Sequence, residues 1–336
     1  MEPLGNSASA AKDINPNQKI VYVEDGDIGK KLHIPLYEWS PKDRAPTGLV
    51  LAIHGLTLHG KRYEVLGRAF AAEGFYVCAM DMRGFGRCYT DKEHKFCVGD
   101  DCKQKLDMEK SYQDIVALAT SIKAKYPQTP LFAMGESLGT SYCIKLAAEH
   151  HELVDGLLLS GPTVKTHPLM FLHPANVGAA AFAVFISPKF NMNTAPFVKN
   201  LVSNDPQIVK EMLDDPLCRK SLTISELLKT DAFVKQTLKY AKLIKPDQPI
   251  LVLQGSEDRC MVPQAVTKLS KNIHSADQTV RWLHAHGHLL LETAYLRPAT
   301  VDAIDIWVRE HEPIHEEEEQ ALSKEMTELG ARSEPD

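Results

Sequence analysis

Short apolar runs alternate with helical patterns along most of the chain. Six runs are continuously apolar and are bounded by Gly, Pro or Asp, which is typical of strands buried on both faces of a parallel sheet. They are GLVLAI (48–53), FYVCAM (75–80), PLFAM (130–134), DGLLLS (155–160), PILVLQ (249–254) and TVRWLH (279–284). Apolar residues recur at three- and four-residue spacing over 63–73, 107–125, 138–150, 263–271 and 292–310. The alternation predicts an α/β fold with a mostly parallel, doubly wound sheet.

The start of the chain has a different pattern. Residues 1–18 are polar and predict a flexible leader. The segments KIVYVED (19–25) and KLHIPLYEW (31–39) alternate apolar and polar residues around an Asp-Gly pair. This pattern predicts a half-exposed β-hairpin ahead of the buried strands.

One long interruption breaks the alternation of strands and helices. Residues 162–246 contain Pro-punctuated and then helical segments, but no convincing buried strand. An insertion of this length needs structure of its own, so we expect a helical cap over the carboxyl ends of the strands, where open α/β sheets bind ligands. The core is then divided into 19–161 and 247–311.

The turn after the strand PLFAM carries the motif Gly135-Glu136-Ser137-Leu138-Gly139. A Gly-x-Ser-x-Gly motif is weak evidence by itself, but here it lies between a predicted strand and a predicted helix. In that context the turn exposes the serine hydroxyl above the sheet, and the glycines avoid clashes with the neighbouring strand and helix. Ser137 is therefore the candidate nucleophile.

A serine nucleophile needs a base and an acid that orients the base. Asp258 follows the strand PILVLQ, and His288 follows the last predicted strand, so both lie at the same edge of the sheet as Ser137. The order Ser, Asp, His is that of hydrolases with this turn. Glu257 is the alternative acid, although the length of the turn favours Asp258.

Two further features of the same edge bear on the chemistry. The loop His54-Gly55-Leu56 follows the strand GLVLAI, and we expect the backbone N–H groups of Leu56 and Leu138 to form an oxyanion hole. His54 is interpreted as structural. The alternating His284, His286 and His288 lack a carboxylate or Cys at suitable spacing, so no metal and no cofactor is expected.

The charge of the chain is unevenly distributed. The formal net charge is −6, but residues 310–336 hold ten acidic and two basic residues, which leaves residues 1–309 at +2. The residues 312–336 are predicted to form a solvated acidic tail. A chain without a basic excess is not expected to bind nucleic acid.

The expected compartment is the cytoplasm. Residues 1–18 lack the pattern of a secretory signal, and the longest apolar run, 177–186, is too short to span a bilayer. The run leaves open a peripheral membrane contact through the cap. Cys97 and Cys102 flank a turn and could pair in an oxidising compartment, but in the cytoplasm we expect them to be reduced.

Several of these motifs occur together in one known family. The segments are HGLTLHGKRYEVLGRAFAAEGFYVCAMDMRGFGR (54–87), GESLG (135–139), GSEDRCMV (255–262) and GHLLLE (287–292). Their order resembles the monoacylglycerol lipase and lysophospholipase group of α/β-hydrolases, within the serine aminopeptidase-like hydrolases. The resemblance implies an α/β-hydrolase fold with an inserted cap, and it places Ser137, Asp258 and His288 in a catalytic triad.

The resemblance has three local departures. The group usually reads Asp-His-Arg-Gly-His-Gly after its second core strand, whereas this chain reads Asp-Met-Arg-Gly-Phe-Gly at 81–86. Cys88 replaces a common Ser, and the unusual segment FCVGDDC (96–102) follows. These departures affect the expected substrate and not the expected triad.

The sequence therefore predicts a serine hydrolase that cleaves esters of small or single-chain acyl groups through an acyl-enzyme intermediate. The expected partner is a small acyl ester or lipid, and the oligomeric state is left open. The alternatives are a thioesterase, an acyltransferase or an aminopeptidase that uses the same triad. A non-catalytic receptor or scaffold on the same fold is the alternative outside enzymes.

Overall fold

The computed structural model of the protein describes residues 20–164 and 189–311. The predicted leader, the first part of the predicted cap with its apolar run 177–186, and the acidic tail lie outside these residues.

Strands were predicted from apolar runs, and all six runs form strands of one central sheet. In chain order the strands are β1 (Ile20–Glu24), β2 (Leu36–Pro41), β3 (Gly48–Ile53), β4 (Phe75–Met80), β5 (Cys97–Val98), β6 (Asp101–Cys102), β7 (Leu131–Glu136), β8 (Gly156–Ser160), β9 (Asn191–Asn193), β10 (Ser221–Thr223), β11 (Ile250–Gly255) and β12 (Gln278–Leu283). The sheet has eight strands in the order β1-β2-β4-β3-β7-β8-β11-β12. The strands β1 and β2 are antiparallel to their neighbours. From β4 to the edge strand β12 in this order, neighbouring strands of the sheet are parallel. The prediction of a mostly parallel sheet is confirmed.

Helices cover both faces of this sheet. They are α1 (Asp27–Leu32), α2 (Glu64–Glu73), α3 (Gly86–Thr90), α4 (Met108–Lys125), α5 (Leu138–Glu149), α6 (Ala195–Phe197), α7 (Pro206–Asp214), α8 (Ile224–Val234), α9 (Thr237–Ala241), α10 (Pro263–Asn272) and α11 (Pro298–Glu310). Short 3₁₀ turns occupy Gly60–Tyr63 and His151–Leu153, and a π-helical turn occupies Val198–Val202. Strand residues face two apolar layers because buried parallel strands present side chains to both sides.

The predicted hairpin at the start of the core is only partly correct. The strands β1 and β2 pair in antiparallel register, with Ile20 opposite Pro41, but α1 lies between them. The Asp25 carboxylate accepts a hydrogen bond from the Leu36 N–H at 2.9 Å, and His33 ends the helix in a left-handed conformation. These local contacts close the connection with a helix in place of a tight turn.

The inserted segment is largely helical in its described part, as predicted, but it also contains a short ribbon. The strands β9 and β10 pair in antiparallel register, with Asn193 opposite Ser221. Just before β10 the backbone N–H of Arg219 donates to the Thr57 carbonyl of the core at 2.8 Å. The described part of the insertion is therefore anchored directly beside the loop that follows β3.

The expectation that Cys97 and Cys102 are reduced is contradicted by the structure, in which they form a disulfide. The two residues lie directly opposite each other across β5 and β6, with their Cα atoms 4.2 Å apart. The remaining cysteines are buried free thiols. Among the described residues, no helix combines the length and the apolar character that crossing a bilayer requires.

Candidate active site

Ser137 occupies a strained turn between a strand and a helix. It follows the last residue of β7 and immediately precedes α5, with φ 53° and ψ −115°. Positive φ is costly for a residue with a side chain and commonly marks a functional site. The Ser137 N–H donates to the Ser160 carbonyl of β8 at 2.8 Å, which fixes the turn over the centre of the sheet.

The two glycines of the motif are required by close backbone packing. A Cβ atom at Gly139 would overlap the carbonyl oxygen of Ile53 at the end of β3, and a Cβ atom at Gly135 would overlap the backbone of Gly139. A larger residue at either position would push α5 away from the sheet. The sequence-based explanation of these glycines is therefore supported in atomic detail.

His288 and Asp258 form a buried pair at the same edge. The His288 Nδ1 atom lies 2.8 Å from Asp258 Oδ2, and the two side chains are 5% and 1% exposed. Asp258 also accepts hydrogen bonds from the Cys260 N–H at 2.7 Å and the Met261 N–H at 2.9 Å. Gln254 Nε2 donates to Asp258 Oδ2 at 2.7 Å, so the carboxylate is held from several directions.

Contact between His288 and Asp258 shifts both pKa values toward the charged form of each side chain, so Asp258 is ionised. Burial of the imidazole opposes its charge, but the Asp258 carboxylate outweighs this effect and raises the pKa of His288. Burial also opposes the charge on Asp258, yet contact with His288 and the hydrogen-bond donors lower the pKa of Asp258. An ionised acid beside an imidazole nitrogen is the arrangement that fixes a catalytic histidine in one tautomer.

The loop that carries His288 is tied to the inserted segment. The Val202 carbonyl accepts hydrogen bonds from the His288 N–H at 3.0 Å and from the Leu289 N–H at 3.1 Å. On the opposite side, Gly161 has a positive φ, and a Cβ atom there would lie 2.9 Å from His288 Cε1. The imidazole is thus confined between the insertion and the end of β8.

The loop after β3 is fixed by a neutral histidine. His54 Nε2 accepts a hydrogen bond from the Met82 N–H at 3.0 Å, and its Nδ1 lies 2.8 Å from the Gly55 carbonyl. Burial lowers the pKa of His54 to about 3. These contacts support the prediction that His54 is structural, and they set the position of Leu56, whose N–H is a candidate oxyanion donor.

The candidate residues border one apolar pocket. Ser137, His288, Leu56 and Leu138 all line a cavity that encloses about 620 Å³ of space, including its open mouth. The part of its wall that comes from the insertion and from the loop after β11 is mainly hydrophobic, with Phe197, Val202, Met212, Leu227, Val234 and Met261. The structure therefore brings the predicted nucleophile, base and oxyanion donors to a single apolar space.

The alternative roles weighed for neighbouring residues are not favoured by the geometry. Glu257 accepts a hydrogen bond from Asn204 Nδ2 at 2.6 Å, whereas Asp258 contacts His288. His286 Nδ1 lies 2.7 Å from the His284 carbonyl. In the described ranges, neither His284 nor His286 belongs to a group of side chains that could hold a metal ion, whereas His288 belongs to one with Asp258 and Cys260.

Phe85 and Cys88, which depart from the family pattern, lie in the buried segment after β4. The ring of Phe85 contacts His54 edge-on, with the centroids 5.4 Å apart, and the Cys88 thiol donates to the Asp81 carbonyl at 3.5 Å. Each replacement therefore packs within the core segment beside the site.

Sequence reasoning missed two buried glutamates beside the candidate triad. Glu136 and Glu292 are both fully buried. The sequence contained a sign of their burial, because each glutamate directly follows an apolar run, PLFAMG for Glu136 and HLLL for Glu292. An acidic residue in that position is usually interpreted as the start of a solvated turn.

Comparison with known proteins identifies the family pattern. A family model described as serine aminopeptidase, S33 matches residues 44–293. The monoglyceride lipase of Mus musculus is 26% identical over 275 residues, which cover 80% of this chain and 84% of that protein. The monoacylglycerol lipase of Mycolicibacterium smegmatis is 25% identical, with coverage of 69% and 76%.

The fold is shared with solved structures. A soluble variant of the monoglyceride lipase from Saccharomyces cerevisiae, in complex with a substrate analog, matches with a TM-score of 0.68 at 20% identity. The match covers 84% of this chain and 92% of that one. The predicted α/β-hydrolase fold and the predicted resemblance to monoacylglycerol lipases are confirmed.

Proposed function

Because the chain belongs to the serine aminopeptidase, S33 family of α/β-hydrolases and is a hydrolase of the lipase and esterase type, we propose that it cleaves carboxylic esters with a single acyl chain. The proposed substrate types are monoacylglycerols and lysophospholipids. The observation that carries the proposal is that Ser137 and His288 line one apolar pocket, with the imidazole of His288 held by buried Asp258.

The proposed reaction is a two-step acyl transfer. Ser137 Oγ attacks the ester carbonyl while His288 Nε2 accepts the hydroxyl proton, and His288 then gives this proton to the departing alcohol. Water then attacks the acyl carbonyl and loses a proton to His288, which passes this proton to Ser137 Oγ as the bond to the acyl group breaks and the fatty acid leaves. Asp258 holds the imidazole in the required tautomer through its contact with Nδ1.

The negative charge of each tetrahedral intermediate needs hydrogen-bond donors. The backbone N–H groups of Leu56 and Leu138 are proposed to supply them, since both residues line the pocket beside Ser137. Leu138 is also the first residue of α5, and the positive end of the helix dipole favours an anion there.

The apolar pocket wall supports an acyl chain as the bound group. Each buried CH₂ contributes about 0.8 kcal/mol to binding of an apolar chain. The test is a series of monoacyl esters, triacylglycerols, acyl thioesters and aminoacyl p-nitroanilides compared by kcat/KM. We expect the monoacyl esters to rank first, and a higher value for either of the last two classes would overturn the substrate assignment.

The aminopeptidase alternative has one observation in its favour. Such an enzyme needs an acidic group that binds the substrate ammonium, and Asp231 lines the pocket. Its carboxylate pairs with Lys235, so it already has a cationic partner. The aminoacyl p-nitroanilides in the series test this role directly.

The activity is expected to fall as the pH is lowered through the pKa of His288. Only the neutral imidazole can accept the Ser137 proton, and the raised pKa places this loss above the ordinary imidazole value of about 6.5. The measurement is kcat/KM of a neutral p-nitrophenyl ester as a function of pH. Replacing Asp258 by Asn should move the midpoint of the residual activity to lower pH, and an unchanged midpoint would contradict the assignment of His288.

We further propose the domain division of the chain, with a core of residues 19–161 and 247–311, and a cap of residues 162–246. The central sheet supports this division, because β8 ends at Ser160 and β11 begins at Ile250. Removing residues 313–336 is expected to leave ester hydrolysis intact, measured as kcat/KM against the full chain. An inactive truncated protein with an unchanged Tm would show that the tail takes part in the reaction.

The proposed location is the cytoplasm, with a peripheral membrane contact through the cap. The buried free thiols support a reducing compartment, whereas the disulfide between Cys97 and Cys102 opposes it. Cell fractionation tests the location, and recovery outside the cytoplasmic and membrane-surface fractions would overturn it.

A further inference from the structure

Two fully buried carboxyl groups flank the candidate triad without belonging to it. Glu136 ends β7 directly before Ser137, and Glu292 follows His288 by four residues. Burial of an ionised carboxyl is unfavourable unless hydrogen bonds or a cation compensate for lost water. The contacts of each carboxyl therefore indicate its charge and its role.

Glu136 is surrounded by hydrogen-bond donors. Its carboxyl oxygens accept hydrogen bonds from the Leu290 N–H at 2.7 Å, the Leu291 N–H at 3.1 Å and the Glu292 N–H at 3.0 Å. The Ser160 hydroxyl donates to Glu136 Oε1 at 2.8 Å. Burial raises the pKa of Glu136, and the hydrogen bonds oppose this effect. A group that receives only donors is best satisfied as an ionised carboxylate.

The helix predicted from residue 292 begins later in the structure. The amide groups of residues 290–292 point back to Glu136. The helix α11 instead starts at Pro298. Glu136 thus holds the segment after His288 in a compact turn against the nucleophile strand.

Glu292 has a different environment. Its Oε1 atom accepts a hydrogen bond from the Gly55 N–H at 2.7 Å, while its Oε2 atom is buried with no hydrogen-bond partner among the described residues. Arg62, the nearby cation, donates through Nε to the Glu292 backbone carbonyl at 2.9 Å. The guanidinium of Arg62 pairs with Glu211 and Asp215 of the insertion.

Glu292 has few donors to stabilise a negative charge. The Tyr63 hydroxyl donates to the Ile53 carbonyl at 3.1 Å, and its contact with Glu292 Oε1 is longer, at 3.4 Å. A buried carboxyl with one short N–H contact and one oxygen without a hydrogen-bond partner among the described residues is most stable in its neutral, protonated form. Burial and the neighbouring Glu136 carboxyl both raise the pKa of Glu292.

We propose that ionised Glu136 and protonated Glu292 are positioning residues that tie the nucleophile strand, the His288 loop and the oxyanion loop into one unit. Glu136 directly precedes Ser137, and its side chain binds the backbone after His288. Glu292 connects that backbone to Gly55, the residue before Leu56. The inference rests on the proposed ester hydrolysis. Neither residue lines the pocket, so each would act through a neighbouring residue.

The test compares uncharged replacements at the two positions. In Glu136→Gln an amide NH₂ faces N–H donors, and the displaced His288 is expected to lower kcat by up to about 100-fold, with KM little changed. Glu292→Leu removes the acceptor for the Gly55 N–H and should lower kcat about 10-fold or more. Glu292→Gln keeps this acceptor and is expected to recover most of the kcat lost in Glu292→Leu.

The opposite responses of the two positions to Gln distinguish the proposal from simple packing. Wild-type kcat in Glu136→Gln would overturn the role of Glu136, and a Glu292→Gln variant as impaired as Glu292→Leu would overturn the protonated state of Glu292. The infrared difference spectrum of wild type and Glu292→Gln at neutral pH should contain the carbonyl stretch of a protonated carboxylic acid. Its absence would also overturn that state.

Hydrogen exchange of the wild-type enzyme tests Glu136 even if Glu136→Gln does not fold. The amides of Leu290, Leu291 and Glu292 should exchange slowly, because they donate to a buried carboxylate. Rapid exchange would overturn the proposed tie. If wild type hydrolyses no ester, the proposed function fails, whereas the infrared and exchange results still decide the state of the carboxyl pair.

Discussion

Replacing Ser137 by Ala is expected to lower kcat for a p-nitrophenyl acyl ester by roughly 10⁴-fold or more, the range seen when a triad nucleophile is removed. Ser137 lines the pocket together with His288, in a turn whose strained backbone presents its side chain. Without this hydroxyl no acyl-enzyme forms, and only binding and oxyanion stabilisation remain.

Two measurements keep this result specific. A fluorophosphonate probe should label wild type at Ser137, as located by peptide mass spectrometry, and should not label Ser137→Ala. The matched control is Ser121→Ala, because the Ser121 hydroxyl donates to the Ala117 carbonyl within α4 and does not line the pocket. Labelling of another serine, or full activity in Ser137→Ala, would contradict the assignment of the nucleophile.

Replacing Asp258 by Asn should lower kcat by about 10⁴-fold, as expected when the acid of a triad loses its charge. Asn can present an NH₂ group to His288 Nδ1, which favours the tautomer that cannot accept the serine proton at Nε2. The contacts of Asp258 Oδ1 with two backbone amides are retained by the Asn carbonyl and preserve the fold of the turn in the variant.

The adjacent residue provides the control for this variant. Glu257 precedes Asp258 in the same turn but contacts Asn204, so Glu257→Gln should retain wild-type kcat. The two variants are compared by kcat, with Tm as the check on folding. A large loss in Glu257→Gln together with an active Asp258→Asn would reverse the choice between the two acids.

Strand pattern and motif order predicted the core well because they depend on local chemistry. The run GLVLAI matches β3 and FYVCAM matches β4 residue for residue, since a strand buried on both faces must be apolar throughout. The motif at 135–139 predicted the turn at Ser137, because only glycine fits the close approach of α5 to β3.

The features that were missed depend on contacts between distant residues. The helix between β1 and β2 is fixed partly by Asp25, whose carboxylate binds the Leu36 N–H. The tie of Glu136 to the backbone of residues 290–292 spans more than 150 positions. A pattern of apolar and polar residues carries no information about which buried acid meets which amide.

The cysteine pair shows the same limit from another direction. The prediction of reduced thiols followed from the expected compartment, whereas the structure places Cys97 and Cys102 opposite each other in a ribbon. The turn of Gly99 and Asp100 between the strands brings the two Cα atoms within disulfide reach. Register across a short hairpin therefore decided the pairing, and sequence spacing alone did not.

The Val202 carbonyl has a consequence for engineering the substrate range. It is the acceptor for the N–H groups of both His288 and Leu289, so the insertion supplies part of the support for the proposed base. A chimera that receives the insertion of a relative would change the proposed acyl site and the support of the imidazole together. Such grafts should succeed when their ends lie beyond residue 202 and the native carbonyl is kept, so that specificity can be exchanged while the proton acceptor stays in place.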